Sequence, residues 1–77
     1  MPSAFVLISS DFGSSEVVAS ELQKIEGIAK VWLVTGVYDI IAKINVQIKE
    51  DLDRINTRIK ALDEVQTTMT LIVLQGE

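Results

Sequence analysis

The chain carries two helical stripes of apolar residues, and short apolar runs precede and follow each stripe. The first stripe is Val18, Leu22 and Ile25, and the second is Leu52, Ile55, Ile59 and Leu62. Spacings of three and four residues place each set on one face of an amphipathic helix. The flanking runs are short and rich in β-branched residues, which favours strands. The pattern therefore predicts two helices packed on a sheet.

The apolar runs predict four strands. They cover Ala4 to Ile8, Val31 to Thr35, Tyr38 to Val46 and about Val65 to Leu74. Only Gly36-Val37 separates the second strand from the third, which predicts an antiparallel hairpin with a tight connection. The predicted order of elements is strand, helix, strand, strand, helix, strand.

The ends of both helices carry signals that are typical of helix termini. Ser14 or Ser15 is predicted to cap the first helix by accepting a backbone hydrogen bond. Gly27 lies where a left-handed C-terminal cap is expected. The second helix begins with acidic residues in its first turn, and Glu50 is expected to pair with Arg54 on its solvent side.

One constant offset superimposes the two halves of the apolar pattern. The coinciding pairs are Phe5 with Ala42, Leu7 with Ile44, Val18 with Ile55, Leu22 with Ile59, Ile25 with Leu62 and Ile28 with Val65. Two right-handed strand–helix–strand units interleave into a four-stranded antiparallel sheet with two helices on one face. We therefore predict a single domain over residues 1–77, of the α+β class, with the ferredoxin-like βαββαβ fold.

Composition narrows the chemistry that the chain can perform. The 77 residues include no Cys and no His, which excludes disulfides, thiol catalysis and histidine-dependent catalysis, and we expect no metal or cofactor. Seven basic and eleven acidic residues give a net charge of −4, which argues against direct binding of nucleic acid or an anionic membrane. Every apolar run is far shorter than the roughly 20 residues of a membrane helix. We expect a soluble cytoplasmic protein.

A chain of this length rarely builds a sufficient core alone, so it needs a further source of stability. Both faces of the predicted sheet are apolar, with Ala4-Val6-Ile8 opposite Phe5-Leu7 in the first strand and Met69-Leu71-Val73 opposite Ile72-Leu74 in the last. The helices cover one face, and the other presents roughly 400 Å² of projected area, more than monomers usually leave bare. We predict a homodimer formed through this face, with Trp32 in the core or in the dimer interface.

A Gly-Val-Tyr-Asp motif at the predicted hairpin is the candidate for ligand binding. In a structural interpretation, Gly36 supplies a positive φ and Asp39 caps the turn. In a functional interpretation, Asp39 binds an amino group beside Tyr38. Thr68 and Thr70 in the last strand are either ordinary β-branched strand residues or hydrogen-bonding groups for a carboxylate or an amide.

The order of elements and two segments resemble a known family. Val34 to Ile40, with its Gly-x-Tyr-Asp turn, and the Thr-rich stretch Thr67 to Leu74 look like the RAM domain of Lrp/AsnC transcription regulators. That domain is the ligand-binding and oligomerisation half of these regulators, and the resemblance covers essentially the whole chain. The family's N-terminal helix-turn-helix has no counterpart in these residues, so the resemblance implies a stand-alone form without its own DNA-binding domain.

The resemblance also implies an assembly and a site. Dimers form through the sheet faces and assemble into rings, and an amino-acid effector binds between neighbouring dimers. The implied effector contacts are Gly36, Tyr38, Asp39, Thr68 and Thr70, with Phe12 as a marginal addition. The ammonium group of the effector would pair with Asp39. The implied function is a non-enzymatic effector-binding and oligomerisation module that also co-assembles with full-length regulators.

Other functions stay open at this point. A cofactor-independent dimeric α+β barrel enzyme would use the same scaffold but requires a buried acid–base group. A ligand-free assembly partner would modulate a full-length regulator through mixed oligomers. An ACT-type amino-acid sensor would bind its ligand at the loop after the first strand, where Phe12-Gly13 lies.

Overall fold

The elements follow one another in the predicted order. In the computed structural model, which describes residues 3–45 and 47–75, they are β1 (Ser3–Ser10), α1 (Ser15–Gln23), β2 (Ile28–Leu33), β3 (Ile40–Asn45), α2 (Lys49–Lys60) and β4 (Val65–Val73). The sheet order is β2-β3-β1-β4, and all neighbouring strands are antiparallel. The ferredoxin-like βαββαβ fold is confirmed.

The core lies between the helices and the two central strands, β1 and β3. Its side chains are Ala4, Val6, Ile8, Ile40, Ala42 and Ile44 from the strands and Val18, Leu22, Ile25, Leu52, Ile55 and Ile59 from the helical stripes. Leu33 and Ile72 point to the same side from the edge strands but stay 52% and 53% exposed. The two helices therefore cover the middle of this face and leave its margins uncovered.

The constant offset between the two halves holds for the helical stripes and for Ile28 and Val65, which both pack against the core, but it is wrong for β1 and β3. Ala42 is buried under the helices, whereas Phe5, with which the offset aligns it, lies on the opposite face. The segment from the last core residue of the strand to the helical stripe is one residue longer in the second half, from Ile44 to Ile55, than in the first, from Ile8 to Val18. A slip of one residue moves every strand side chain to the other face.

The connection between β2 and β3 is longer than the predicted Gly36-Val37 turn. Residues 34–39 form it, and the ladder closes with the Val34 amide donating to the Asp39 carbonyl at 2.9 Å. The β-branched and aromatic residues of this segment favour a strand. The residues between Val34 and Asp39 nevertheless form no regular strand pairing. Val46, predicted to end the third strand, lies outside the described residues.

The helix termini depart from the sequence signals in three details. Ser14 is the N-cap of α1, but its side chain accepts no capping hydrogen bond. Gly27 has a positive φ of 103° yet caps no helix, because α1 ends earlier and its C-cap, Lys24, is right-handed. Arg54 pairs with Asp51 at 3.3 Å rather than with Glu50. Within the described residues, neither helix combines the length and the apolar character needed to cross a membrane.

The side of the sheet away from the helices is apolar, as predicted, and is called the open face below. Its apolar side chains, identified by strand register, are Phe5, Leu7, Trp32, Ile41, Met69, Leu71 and Val73. Trp32 therefore lies on the open face and not in the protomer core, with its ring centroid 6.5 Å from that of Phe5. The ammonium group of Lys30 lies 5.2 Å from the Trp32 ring centroid, and Lys43 is the cross-strand partner of Lys30.

Candidate functional site

Asp39 anchors the segment that carries the Gly-x-Tyr-Asp motif. Its main chain bonds to both neighbouring strands, since the Asp39 amide donates to the Ile8 carbonyl at 3.0 Å and its carbonyl accepts from Val34. Its carboxylate accepts from Ser10 twice, through the Ser10 amide at 3.0 Å and the Ser10 hydroxyl at 2.5 Å. Asp39 is therefore half-buried and holds the start of β3 against the end of β1.

Gly36 occupies a backbone conformation that side-chain-bearing residues rarely adopt. Its φ is +153°, and a Cβ built on it would lie 3.8 Å from the Tyr38 carbonyl oxygen, an ordinary contact distance. The conformation, rather than a lack of space, is what favours glycine at this position. The predicted positive φ is confirmed.

Tyr38 reaches from this segment to the opposite edge of the open face. Its hydroxyl lies 4.0 Å from the Met69 sulfur on β4, and Met69 pairs with Leu7 of the intervening strand. Since Leu7 and Met69 both lie on the open face, Tyr38 connects the motif to the apolar surface predicted to form the dimer.

Thr68 and Thr70 lie on the other side of the sheet. Thr68 pairs with Ile8 and Thr70 with Val6, both of which are buried under the helices. The Thr70 hydroxyl donates to the Asn56 side-chain oxygen of α2 at 3.2 Å. Thr68 lines an open groove of about 270 Å³ together with Lys60, at the edge of the sheet.

One protomer thus brings only part of the predicted site together. Tyr38 extends along the open face towards Met69, whereas Thr68 and Thr70 are on the helix side of β4. Asp39 and Thr68 are separated by the width of β1, on the order of 10 Å across two strand spacings. The five-residue site remains a prediction.

Two residues beside predicted site residues could not be identified from the sequence: Ser10 next to Asp39 and Lys60 next to Thr68. Ser10 lies in a Ser-rich segment whose composition predicts a loop. No local sequence signal indicates its hydrogen bond to Asp39, which is 29 positions away. From the sequence, Lys60 is interpreted as a solvated cation at the end of a helix. Its position beside Thr68 is seen only in the folded structure. Phe12 is fully exposed in the loop between β1 and α1.

None of the ionisable side chains of the described residues is fully buried. Across residues 3–45 and 47–75, the buried set contains no polar or charged side chain. The enzyme alternative requires a buried acid–base group, and the described part of the chain supplies none.

The family is decided by the sequence match. Residues 3–76 match the Lrp/AsnC ligand binding domain. This chain belongs to that family. Among curated relatives, the HTH-type transcriptional regulator FL11 of Pyrococcus furiosus is 36% identical over 72 residues, which is 94% of this chain and 48% of FL11. The Lrp/AsnC domain described here thus spans about half the length of the curated relatives it matches.

Solved structures of the family share the fold along the whole chain. TTHA0845 from Thermus thermophilus superimposes with a TM-score of 0.94 at 31% identity, covering all of this chain and 98% of that one. E. coli AsnC gives a TM-score of 0.88 at 26% identity, covering 97% of this chain and 52% of AsnC. The resemblance seen in the sequence is confirmed, and the chain is a ligand-binding domain of the Lrp/AsnC family.

Proposed function

We propose that this Lrp/AsnC domain is a homo-oligomeric sensor that binds an amino acid or a related small molecule. The match of residues 3–76 to a ligand-binding domain carries the proposal. The relatives are transcriptional regulators, which supports a non-enzymatic, cytoplasmic role in transcription regulation. Co-assembly with full-length Lrp/AsnC-type regulators is the route by which such a domain would act on a promoter.

The proposed effector site consists of Gly36, Tyr38 and Asp39 from one protomer and Thr68 and Thr70 from another. The Asp39 carboxylate would accept the effector's ammonium group. The Thr68 hydroxyl would donate to its carboxylate, and Thr70 would exchange its bond to Asn56 for one to the same carboxylate. The side chain of Lys60, which lines the same groove as Thr68, adds a positive charge there. The placement of Tyr38 on the open face and of Thr68 and Thr70 on the helix side supports a site between neighbouring dimers.

The open face supports the proposed homodimer. Trp32, Met69 and Leu71 are between 36% and 47% exposed and adjoin other apolar residues of the same face. Burying roughly 400 Å² of projected face on each partner contributes about 10–20 kcal/mol before the cost of association. Such dimers would in turn assemble into a ring through the ends of the sheet that carry the motif.

Effector binding and assembly would be linked thermodynamically. A ligand held between two dimers binds the larger assembly and not the separate dimers, so it shifts the equilibrium by its differential affinity. The oligomer, rather than any chemical step, is then the output that a full-length regulator senses.

Isothermal titration of the wild-type protein with each of the twenty standard amino acids tests the effector role. We expect one or a few to bind, and Asp39→Ala to weaken that binding by about tenfold or more, because it removes a charge-assisted hydrogen bond. Asp63→Ala is the matched control, since Asp63 is an exposed acid in the turn before β4 and should leave binding unchanged.

Two outcomes would redirect the proposal. If none of the twenty amino acids binds, the amino-acid effector role is wrong. If the domain then co-purifies with a full-length regulator without any ligand-dependent change, it acts as a ligand-free assembly partner.

A further inference from the structure

The Asp39 carboxylate is oriented by one residue, Ser10, which the sequence does not mark. The Ser10 amide bonds one carboxylate oxygen at 3.0 Å and the Ser10 hydroxyl bonds the other at 2.5 Å. Each contact uses a different oxygen, so the two together fix both the position and the plane of the carboxylate. An ionised carboxylate has about four acceptor positions, of which Ser10 occupies two. The others remain able to accept an ammonium group.

Ser10 is itself held in place by the local structure of the sheet. The register between β1 and β4 shifts between Ser9 and Ser10, so that Ser9 pairs with Thr67 and Ser10 with Val65. Such an irregularity ends regular pairing and re-aims the residues beside it. The next residue, Asp11, is bonded to β4 and the turn before it, through its amide to the Glu64 carbonyl at 2.8 Å and its carboxylate to Gln66 at 2.9 Å.

We propose that Ser10 is a positioning residue of the effector site, whose hydroxyl aims the Asp39 carboxylate at the ammonium group of a bound amino acid. The inference rests on the proposed function and adds a residue that does not itself touch the ligand. The amide contact survives any substitution except proline, so the hydroxyl is the part that a side-chain change can remove. Its loss frees one carboxylate oxygen to rotate away from the ligand.

The test is isothermal titration with the amino acid that binds the wild type most tightly among the twenty. Ser10→Ala should weaken binding about tenfold, the low end expected for a hydrogen bond to a charged group, and Ser10→Thr, which keeps a hydroxyl, should restore it. Ser10→Ala combined with Asp39→Asn should bind no worse than Asp39→Asn alone, because both changes act through one carboxylate.

Ser3→Ala provides a matched control within the same pair of strands. The Ser3 hydroxyl donates to the Asn45 side-chain oxygen at 3.4 Å, joining β1 to β3 at the end of the sheet away from the motif. A purely structural role for these serines would make the two alanine variants equivalent. The positioning role predicts that Ser3→Ala binds like the wild type.

The outcomes separate this inference from the proposed function. The positioning role is wrong if the wild type binds an amino acid and Ser10→Ala binds it with the same affinity. It is also wrong if Ser3→Ala loses as much affinity as Ser10→Ala. Both results leave the effector role intact. Absence of binding to all twenty amino acids overturns both. If Ser10→Ala does not fold, as judged by circular dichroism, Ser10→Cys takes its place with the same expected loss, since a thiol is a weak donor.

Discussion

We expect Leu71→Asp to convert the proposed homodimer into a monomer, with a particle mass that falls from twice 8.5 kDa to 8.5 kDa. Leu71 lies on the open face of β4 opposite Phe5 and is 47% exposed in the protomer. In a two-fold dimer each substitution enters the interface twice. Losing a buried leucine costs about 1.5–3 kcal/mol at each copy, before the added cost of an unpaired carboxylate. The dissociation constant should therefore rise by at least about a hundredfold.

Ile72→Asp is the control for this prediction. Ile72 is the next residue of the same strand, is 53% exposed, and points to the helix side of the sheet. Aspartate has the same low strand propensity at both positions, so only the face differs. Light scattering at one micromolar concentration should show a dimer for Ile72→Asp and a monomer for Leu71→Asp. A wild-type mass of 8.5 kDa, or equal masses for the two variants, would contradict dimerisation through the open face.

The helices were the part of the fold that the sequence predicted most completely. Val18 and Leu22 of the first stripe, and Ile55 and Ile59 of the second, are all fully buried. A helical stripe needs only local spacing to define its face, and burial then follows from packing on any apolar sheet. The order of elements and the apolar character of both sheet faces could be predicted for the same reason.

The errors arise where residue spacing and local propensity allow more than one arrangement. Val34 to Tyr38 has strand-forming residues, but pairing ends at the bond between Val34 and Asp39, so the connection between β2 and β3 is longer than predicted. Glu50 and Asp51 both lie within reach of Arg54 along a helix, and side-chain directions rather than spacing select Asp51.

Only some residues of the candidate site could be identified from the sequence. Gly36, Tyr38 and Asp39 stand out because an uncommon motif joins a turn glycine to a carboxylate. Ser10 does not stand out, since its role exists only when the end of β1 meets the start of β3. Local chemistry can therefore nominate candidate ligand contacts, whereas a contact such as that between Ser10 and Asp39 is visible only in the fold.

Ile44→Ala should remove a large share of the stability of the domain. Ile44 is fully buried on the helix side of β3, where it pairs with Ala4 on one strand and Ile28 on the other. Truncating a buried isoleucine to alanine costs about 2–5 kcal/mol, because the core loses contacts and keeps a cavity. Domains of this length have about 4–12 kcal/mol of total stability, so the variant should unfold at a much lower urea concentration.

Ile72→Ala is the comparison that isolates burial from side-chain chemistry. It makes the same truncation on the same side of the sheet, but at a half-exposed position, and should cost about 1 kcal/mol or less. All proteins must be compared at one protomer concentration, because dimerisation makes apparent stability depend on concentration. Equal shifts of the urea midpoint for the two variants would mean that the core does not lie beneath the helices, since burial is the only large difference between the two sites.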